Sequence, residues 1–358
     1  MTAVDHATSR TADEPRSGHR CVQWATGNIG SRALRGIIGH PSLQLAGVYV
    51  TSAEKVGVDA GVLAGTSTTG VTATDRIDDI IALRPDCVLY MPAVLDVDDV
   101  ERLLRSGINV VTTRVEFHRP RSMDPVVRER IERACRDGGA SIHSTGSSPG
   151  FITEALPMTL LSLQRHVDEI RIDEYADLSE RNSPDLLFGI MGFGQHPAAF
   201  DQGRLEHLRA SFGPSLQLLA ESVGLTVDTI EVSGEVATVG SAVSIAAGML
   251  ESGTVGAQRI TVCGCADGRP VVRFRPTWYC TEQLDSNWDL LPTGWRIRVD
   301  GDAPLSVDIR MPLAPEDLAE TTPGYTANRA VNAVAHVCAA PPGIRTSLDL
   351  PQFVPEFA

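Results

Sequence analysis

A chain of 358 residues exceeds one ordinary hydrophobic core, so two domains are expected, and 42% hydrophobic with 21% charged residues is the balance of a soluble globular protein. No apolar run reaches the roughly 18 residues that a membrane span needs, which argues against a membrane partner. The formal net charge of −14 argues against nucleic acid, whose phosphates demand a basic face, but leaves room for a small anion held by helix-end amides and a few cations.

Residues 1–18 are polar, broken by Pro and Gly, and carry no apolar core; they read as a disordered leader and not as a signal peptide. Between Arg20 and about Thr145 short β-branched runs alternate with amphipathic stretches. Strands are predicted at 21–25, 45–51, 70–74, 87–91, 109–113 and 140–144. Helices are predicted at 29–40, from a cap at Asp75 through Leu83, at 97–106 and at 124–137. That alternation implies an α/β fold with a doubly wound parallel sheet, a Rossmann-type dinucleotide-binding domain over 19–150.

After Pro149 the rhythm changes. A helix at 153–164 leads to a strand at 169–175, then to a helical region at 204–223 and several extended runs. Asp267-Gly268 and Asp300-Gly301 are each expected to make a two-residue hairpin turn, because Asp-Gly supplies the positive φ that such turns require. Residues 151–320 therefore read as an α+β domain with a mainly antiparallel sheet. A last amphipathic helix, 325–338, stops at Pro341-Pro342, and 321–358 is expected to pack back toward the cofactor domain. The seven cysteines are scattered and are read as reduced thiols in the cytoplasm. No metal is expected: Cys263 and Cys265 alternate on one strand, and His143, His196 and His336 lie far apart.

The segment Gln23–Gly30 reads QWATGNIG. A nucleotide-binding turn follows G-x-G-x-x-G, and here Ala25 holds the first glycine position. An apolar strand runs in and an apolar-faced helix runs out, as the motif requires. Gly27 lets backbone approach a pyrophosphate and Gly30 allows tight helix–strand packing. Alanine can make the tight turn if its φ stays negative. About 20 residues on, where a carboxylate would mark NAD, stand Thr51, Ser52 and Lys55, which suit a 2′-phosphate; Glu54 could instead turn inward. NADP(H) is favoured, with NAD(H) possible.

Ligands of doubly wound sheets sit beyond the carboxyl ends of the strands. Two such ends stand out: TTRVEFHRP, which carries Glu116, and HSTGSSPGFITEALP, whose Gly-Ser-Ser-Pro-Gly turn opens a helix. By itself a loop glutamate is more often a solvated surface residue, and the second turn also serves as a plain interdomain hinge.

Together QWATGNIGSRALR, VYVTSAEKVGVDAG, VLYMPA, NVVTTRVEFHRP, STGSSPGFITEALP and TTPGYTANRAVNAV, in that order, resemble the dihydrodipicolinate-reductase-like family. Within it the chain is most similar to the branch of NAD(P)-dependent amine dehydrogenases related to 2,4-diaminopentanoate dehydrogenase. The resemblance runs from Arg20 to the C-terminus. It implies reversible reductive amination of a small aldehyde or ketone with ammonia to a primary amine, by a homodimer whose second domain supplies the dimer sheet and part of the substrate pocket. It places the catalytic acid/base on Glu116 and the cofactor turn on Thr26, Gly27, Asn28, Ile29 and Gly30. Ser52, Glu54 and Lys55 match the family's stretch after the second strand. Met91, Pro92 and Ala93 would line the cofactor; Ser148, Pro149 and Gly150 would meet the nicotinamide end. Relatives often carry asparagine where this chain has Ser148.

Such chemistry calls for a carboxylate in an apolar, desolvated pocket, where burial raises its pKa. Phe151, Phe193, Trp278 and Tyr279 are candidate walls, with Trp288 and Trp295. Asn328, His196 and Tyr325 are candidate polar contacts. Two other readings stay open. One is an NADPH-dependent reductase of a cyclic imine or unsaturated acid, which would want Arg273, Arg275 and Arg296 gathered at the substrate. The other is a non-catalytic cofactor-sensing protein on the same fold.

Overall fold

The computed structural model describes residues 18–198 and 200–355; all of the expected leader except Gly18 lies outside them. β1 (His19–Trp24) feeds α1 (Asn28–Gly39), and β2 (Leu43–Tyr49) follows. Next come α2 (Ala60–Ala64), β3 (Ala73–Thr74), α3 (Ile77–Ala82), β4 (Cys87–Tyr90) and α4 (Val97–Arg105). β5 (Asn109–Thr112), α5 (Pro125–Gly138) and β6 (Ser141–Ser144) end this half. β4 and β6 are buried along their whole length, as strands sandwiched between helices must be.

Local chemistry sets the helix ends. Asp96 accepts the amides of Asp98 and Asp99 at the start of α4, and Asp124 accepts those of Val126 and Val127 ahead of Pro125 at the start of α5. Each such cap is worth about 1 kcal/mol. α5 ends on Gly139, whose φ of +69° lies in the left-handed region. α3 starts one residue later than expected. Asp75 does not cap it; the Thr74 hydroxyl turns back to accept the Arg76 amide instead. The strand expected at 70–74 shrinks to the two residues of β3.

The second half opens with a wide helical turn, Ser147–Ala155, broken at Ser148, Pro149 and Gly150. It continues into α6 (Leu156–Leu161), which stops short of the expected 164. β7 (Val167–Asp177), α7 (Gln202–Ser222), β8 (Thr229–Thr238), β9 (Val243–Ile245) and β10 (Gly248–Leu250) follow. Then come β11 (Val255–Ala266), β12 (Arg269–Tyr279), β13 (Gly294–Gly301) and β14 (Leu305–Arg310). The chain ends with α8 (Pro315–Ala339) and β15 (Gly343–Arg345).

The first sheet is parallel, in the order β15-β6-β5-β4-β1-β2-β3. The second, β14-β13-β7-β12-β11-β8, is antiparallel except for the β7–β12 pair. α7 packs on one face of it, where Ile170, Ile172, Leu216, Leu219 and Phe274 form a shared core. α8 returns to the first sheet and packs on α1, with Val331 against Gly36. β15, which follows two prolines and is only three residues long, had no signal strong enough to be expected.

Only one of the two Asp-Gly pairs turns a hairpin as expected. Asp267 and Gly268 have φ of +50° and +70° between β11 and β12. Asp300 and Gly301 remain paired to β7, opposite Glu169 and Val167 across a bulge, and the chain turns at 302–304 instead. Gly301 is needed for a different reason: a Cβ there would lie 2.2 Å from the His166 carbonyl oxygen. Among the described residues no helix is long and apolar enough to cross a membrane.

Candidate active site

Between β1 and α1 the chain makes a narrow turn. Ala25 adopts φ of +70°, so the negative φ expected of it is not found. Tertiary contacts hold it there: its amide donates to the Tyr49 carbonyl at 2.8 Å, and the buried Gln23 Nε2 donates to its carbonyl at 2.9 Å. Gly30 packs so closely that a Cβ would stand 2.1 Å from that same carbonyl oxygen. A Cβ on Gly27 would meet nothing within 4 Å, and no side chain caps the first amides of α1. One glycine is closed by protein and the other faces open space beside uncapped amides. That is the arrangement a dinucleotide pyrophosphate fits.

Around this turn the other expected cofactor residues gather at the carboxyl ends of β2 and β4. Lys55 Nζ reaches back to the Thr26 carbonyl at 3.1 Å and to its hydroxyl at 3.3 Å. Its charge therefore stands over the turn. Thr51 and Glu54 are exposed, and Ser52 is half-buried. Met91 is buried at the end of β4, with Pro92 and Ala93 progressively more open.

Glu116 lies in the loop after β5. Its carboxylate receives two bonds from the Arg114 guanidinium, at 2.5 and 3.2 Å, and is 33% exposed. Arg114 also donates to the Ala93 carbonyl, and the Ser144 hydroxyl donates to the Arg114 carbonyl. The pair is thereby pinned across the carboxyl ends of β4, β5 and β6. The apolar, desolvated surroundings expected for Glu116 are not found there.

Two adjoining cavities of about 280 and 370 Å³ share Ser147, Trp295, Met311 and Tyr325. The smaller runs from Asn28 and Ile29 at the start of α1, past Ser148, to Glu174 on β7. Glu174 accepts the Trp295 indole N–H at 2.8 Å, across the β7–β13 register. Burial pushes its carboxyl above the usual carboxylate range, against the opposing pull of Trp295 and Ser148. Part of its surface stays accessible because the cavity adjoins it. The Ser148 hydroxyl is buried beside it. Phe151 walls the larger cavity, with Arg329 held between the Phe151 and Phe353 rings and donating from Nε to the Thr145 hydroxyl.

Residues 151–356 match the family model of the 2,4-diaminopentanoate dehydrogenase C-terminal domain. An amine dehydrogenase from Streptomyces virginiae is 30% identical over 345 residues, 92% of this chain and 95% of that protein. The chain belongs to this dehydrogenase family. A 2,4-diaminopentanoate dehydrogenase from Acetoanaerobium sticklandii is 24% identical over 71% of the chain and 69% of its own length. The amine dehydrogenase structure from Mycobacterium smegmatis superposes with a TM-score of 0.73 at 21% identity, covering 94% of this chain and 97% of that one, and so shares its fold. The protein is an NAD(P)-dependent oxidoreductase.

Not every aromatic expected at the substrate reaches it in this dehydrogenase. Phe193 is fully buried among Leu187, Val239 and Leu250, and Tyr279 is buried with its hydroxyl donating to the Leu291 carbonyl. Neither lines the two cavities, because both fill apolar clusters beside the second sheet. Trp278 lines a third chamber of about 210 Å³, which shares Ala176, Thr293 and Thr322 with the smaller cavity. Trp288 lies under the Arg259 guanidinium, and His196 is exposed. Trp295, Tyr325 and Asn328 do line the larger cavity. Glu174 was missed, although its signal was legible: it follows Ile170 and Ile172 at alternate positions, a carboxylate continuing an apolar strand face.

Proposed function

We propose that the protein catalyses reversible reductive amination of a small aldehyde or ketone with ammonia, giving a primary amine. The observation that carries this reading is the smaller cavity, which joins the start of α1 to the second sheet and so sets a small-molecule chamber directly against a dinucleotide turn. Thr26, Gly27, Asn28, Ile29 and Gly30 would hold the pyrophosphate. Met91, Pro92 and Ala93 would line the cofactor, with Ser148, Pro149 and Gly150 at its nicotinamide end. When bound, the nicotinamide supplies or accepts hydride. Thr51, Ser52 and Lys55 would favour NADP(H), with NAD(H) accepted; Lys55 stands over the turn, where it would meet the phosphates that both dinucleotides share.

Glu116 serves as the acid/base. From the carboxyl ends of β5 and β6, where a doubly wound sheet presents ligands, its carboxylate takes a proton from ammonium, protonates the departing hydroxyl of the carbinolamine and stabilises the substrate iminium. Arg114, bonded to both its oxygens, orients it. The imine-reductase alternative is disfavoured by strand register. Arg273, Arg275 and Arg296 pair opposite Arg171 and Asp173 of β7, on the sheet face away from Glu174 and Trp295. That same face, with Asp173 paired to Arg275 and no part in the cavity, suits a homodimer contact.

The test is consumption of NADPH by the purified protein with small aldehydes and ketones, with and without ammonium, at mildly alkaline pH. Consumption only with ammonium is the expected result. Consumption indifferent to ammonium would make the protein a carbonyl reductase and overturn the proposal.

A further inference from the structure

Resting on the reading just given, we propose that the substrate cavity continues past Ala176 into the third chamber, so that the protein prefers carbonyls and amines with an uncharged hydrocarbon tail over short ones. The smaller cavity and the third chamber share Ala176, Thr293 and Thr322. On the second sheet Trp295 pairs opposite Glu174 and Trp278 opposite Ala176, so all four side chains stand on one face. Ala176 is the small residue of that row, with an indole on either side. The lining of the two spaces follows β7 from Glu174 to Asp177, about 10 Å of strand, which is more than a four-carbon chain needs.

The two spaces differ in chemistry. Asn28, Ser147, Ser148 and Glu174 line the smaller cavity, and among the described residues none of the four lines the third chamber. Past Ala176 the walls include Leu178, Met191, Trp278 and Leu318. The hydroxyls at the passage are spent on backbone: Thr322 donates to the Leu318 carbonyl at 2.8 Å, and Thr293 accepts the Asp177 amide at 3.0 Å. Asp177 and Arg181 bring opposite charges, so the chamber favours neither a cationic nor an anionic tail. The larger cavity is a poorer seat for hydrocarbon, because Arg310 and Arg329 line it with no carboxylate among the described lining residues. Each methylene moved from water into apolar surroundings strengthens binding roughly fourfold.

Two measurements test this. One is kcat/KM for butanal, hexanal and octanal with ammonium and NADPH. The other is calorimetric binding of butylamine and octylamine to the NADPH-loaded protein, where reduced cofactor cannot accept hydride from an amine. Octanal is expected to exceed butanal at least roughly tenfold in kcat/KM, and octylamine to exceed butylamine by a similar factor in affinity. Leu318→Trp fills the chamber from the α8 side, and Ala176→Leu narrows its entrance from the strand side. Each should bring both ratios below about threefold. Equal kcat/KM for the three aldehydes, or a decline with length, would overturn the proposal. A tenfold ratio that survives in either folded variant would place the tail elsewhere and overturn it too. Ammonium-dependent consumption of NADPH with butanal and no gain at octanal would sink this inference while leaving the amine dehydrogenase reading intact. Tighter octylamine binding that Leu318→Trp removes, with no turnover of any aldehyde, would do the reverse.

Discussion

Gly27 and Gly30 stand three residues apart and answer to different neighbours. Gly27 has an ordinary negative φ of −74° and open space where a Cβ would go. Gly27→Ala should therefore change stability by no more than about 1 kcal/mol while weakening NADPH binding at least roughly tenfold, because the methyl stands where a pyrophosphate must come close. Gly30→Ala should instead unfold or loosen the domain, its methyl driven into the Ala25 carbonyl. Thermal melting with fluorescence titration of NADPH separates the two outcomes. At Ala25 the backbone holds a conformation that L-residues adopt at a cost of about 1–2 kcal/mol, stabilised by Gln23 and the Tyr49 carbonyl. For Glu116, replacement by glutamine is expected to lower kcat roughly 10²- to 10⁴-fold with NADPH affinity unchanged. Loss of cofactor binding in step with activity would argue for a structural role instead.

Four separate segments meet at one buried carboxylate. Glu154, at the end of the wide turn, contacts His118 Nδ1 at 2.6 Å and accepts the Ser215 hydroxyl of α7 at 2.6 Å and the Ser347 hydroxyl beyond β15. Both Glu154 and His118 are almost wholly buried. Burial alone would push the carboxyl up, but His118 and the two hydroxyls outweigh it and hold Glu154 below the usual carboxylate range. This one residue ties the first sheet's loops to the second sheet's helix and to the returning tail. Glu154→Ala should cost roughly 3–5 kcal/mol by urea unfolding, the range for breaking a buried pair and leaving its partner behind. Replacing His118 and Glu154 together by leucine and methionine should recover part of that loss, since the buried imidazole would no longer be left without its carboxylate. If the double variant were no more stable than the single one, the pairing account would be wrong.

For the molecule as a whole, the stability profile in acid follows from two buried groups that titrate in sequence. Burial lowers His143 to a pKa of about 4 from an unfolded value of 6.5, against the raising effect of its Nδ1 bond to the Arg345 carbonyl. The folded protein thus keeps His143 neutral where the unfolded chain already takes up a proton. Its contribution is complete above pH 6.5 and drains away as pH falls toward 4, on the order of 3 kcal/mol in all. Glu154, also lowered, loses its contribution at still more acid pH. Urea unfolding between pH 7 and 5 should therefore show stability falling with pH, with a shallower slope in His143→Gln. A slope that is unchanged in the variant would place the acid sensitivity elsewhere.

The two-sheet plan, the nucleotide turn and the Asp267-Gly268 hairpin were legible in the residues themselves. Apolar strands alternating with amphipathic helices, two glycines at a strand–helix joint and an Asp-Gly between β-branched runs are local signals, and local sterics and periodicity decide them. The left-handed Ala25, the role of Gly301, β15 in the parallel sheet and the Glu154 junction were not legible in that way. Each depends on contacts between segments far apart in the chain, such as Gly301 against His166 or Ser347 against Glu154. The site divides along the same line. Sequence alone determined the residues of the turn and the family to which the chain belongs. Tertiary structure decided that Glu116 is held by Arg114 at a half-open strand end, while burial falls on Glu174. Desolvation and pairing are properties of what surrounds a side chain, and only the fold brings those surroundings together.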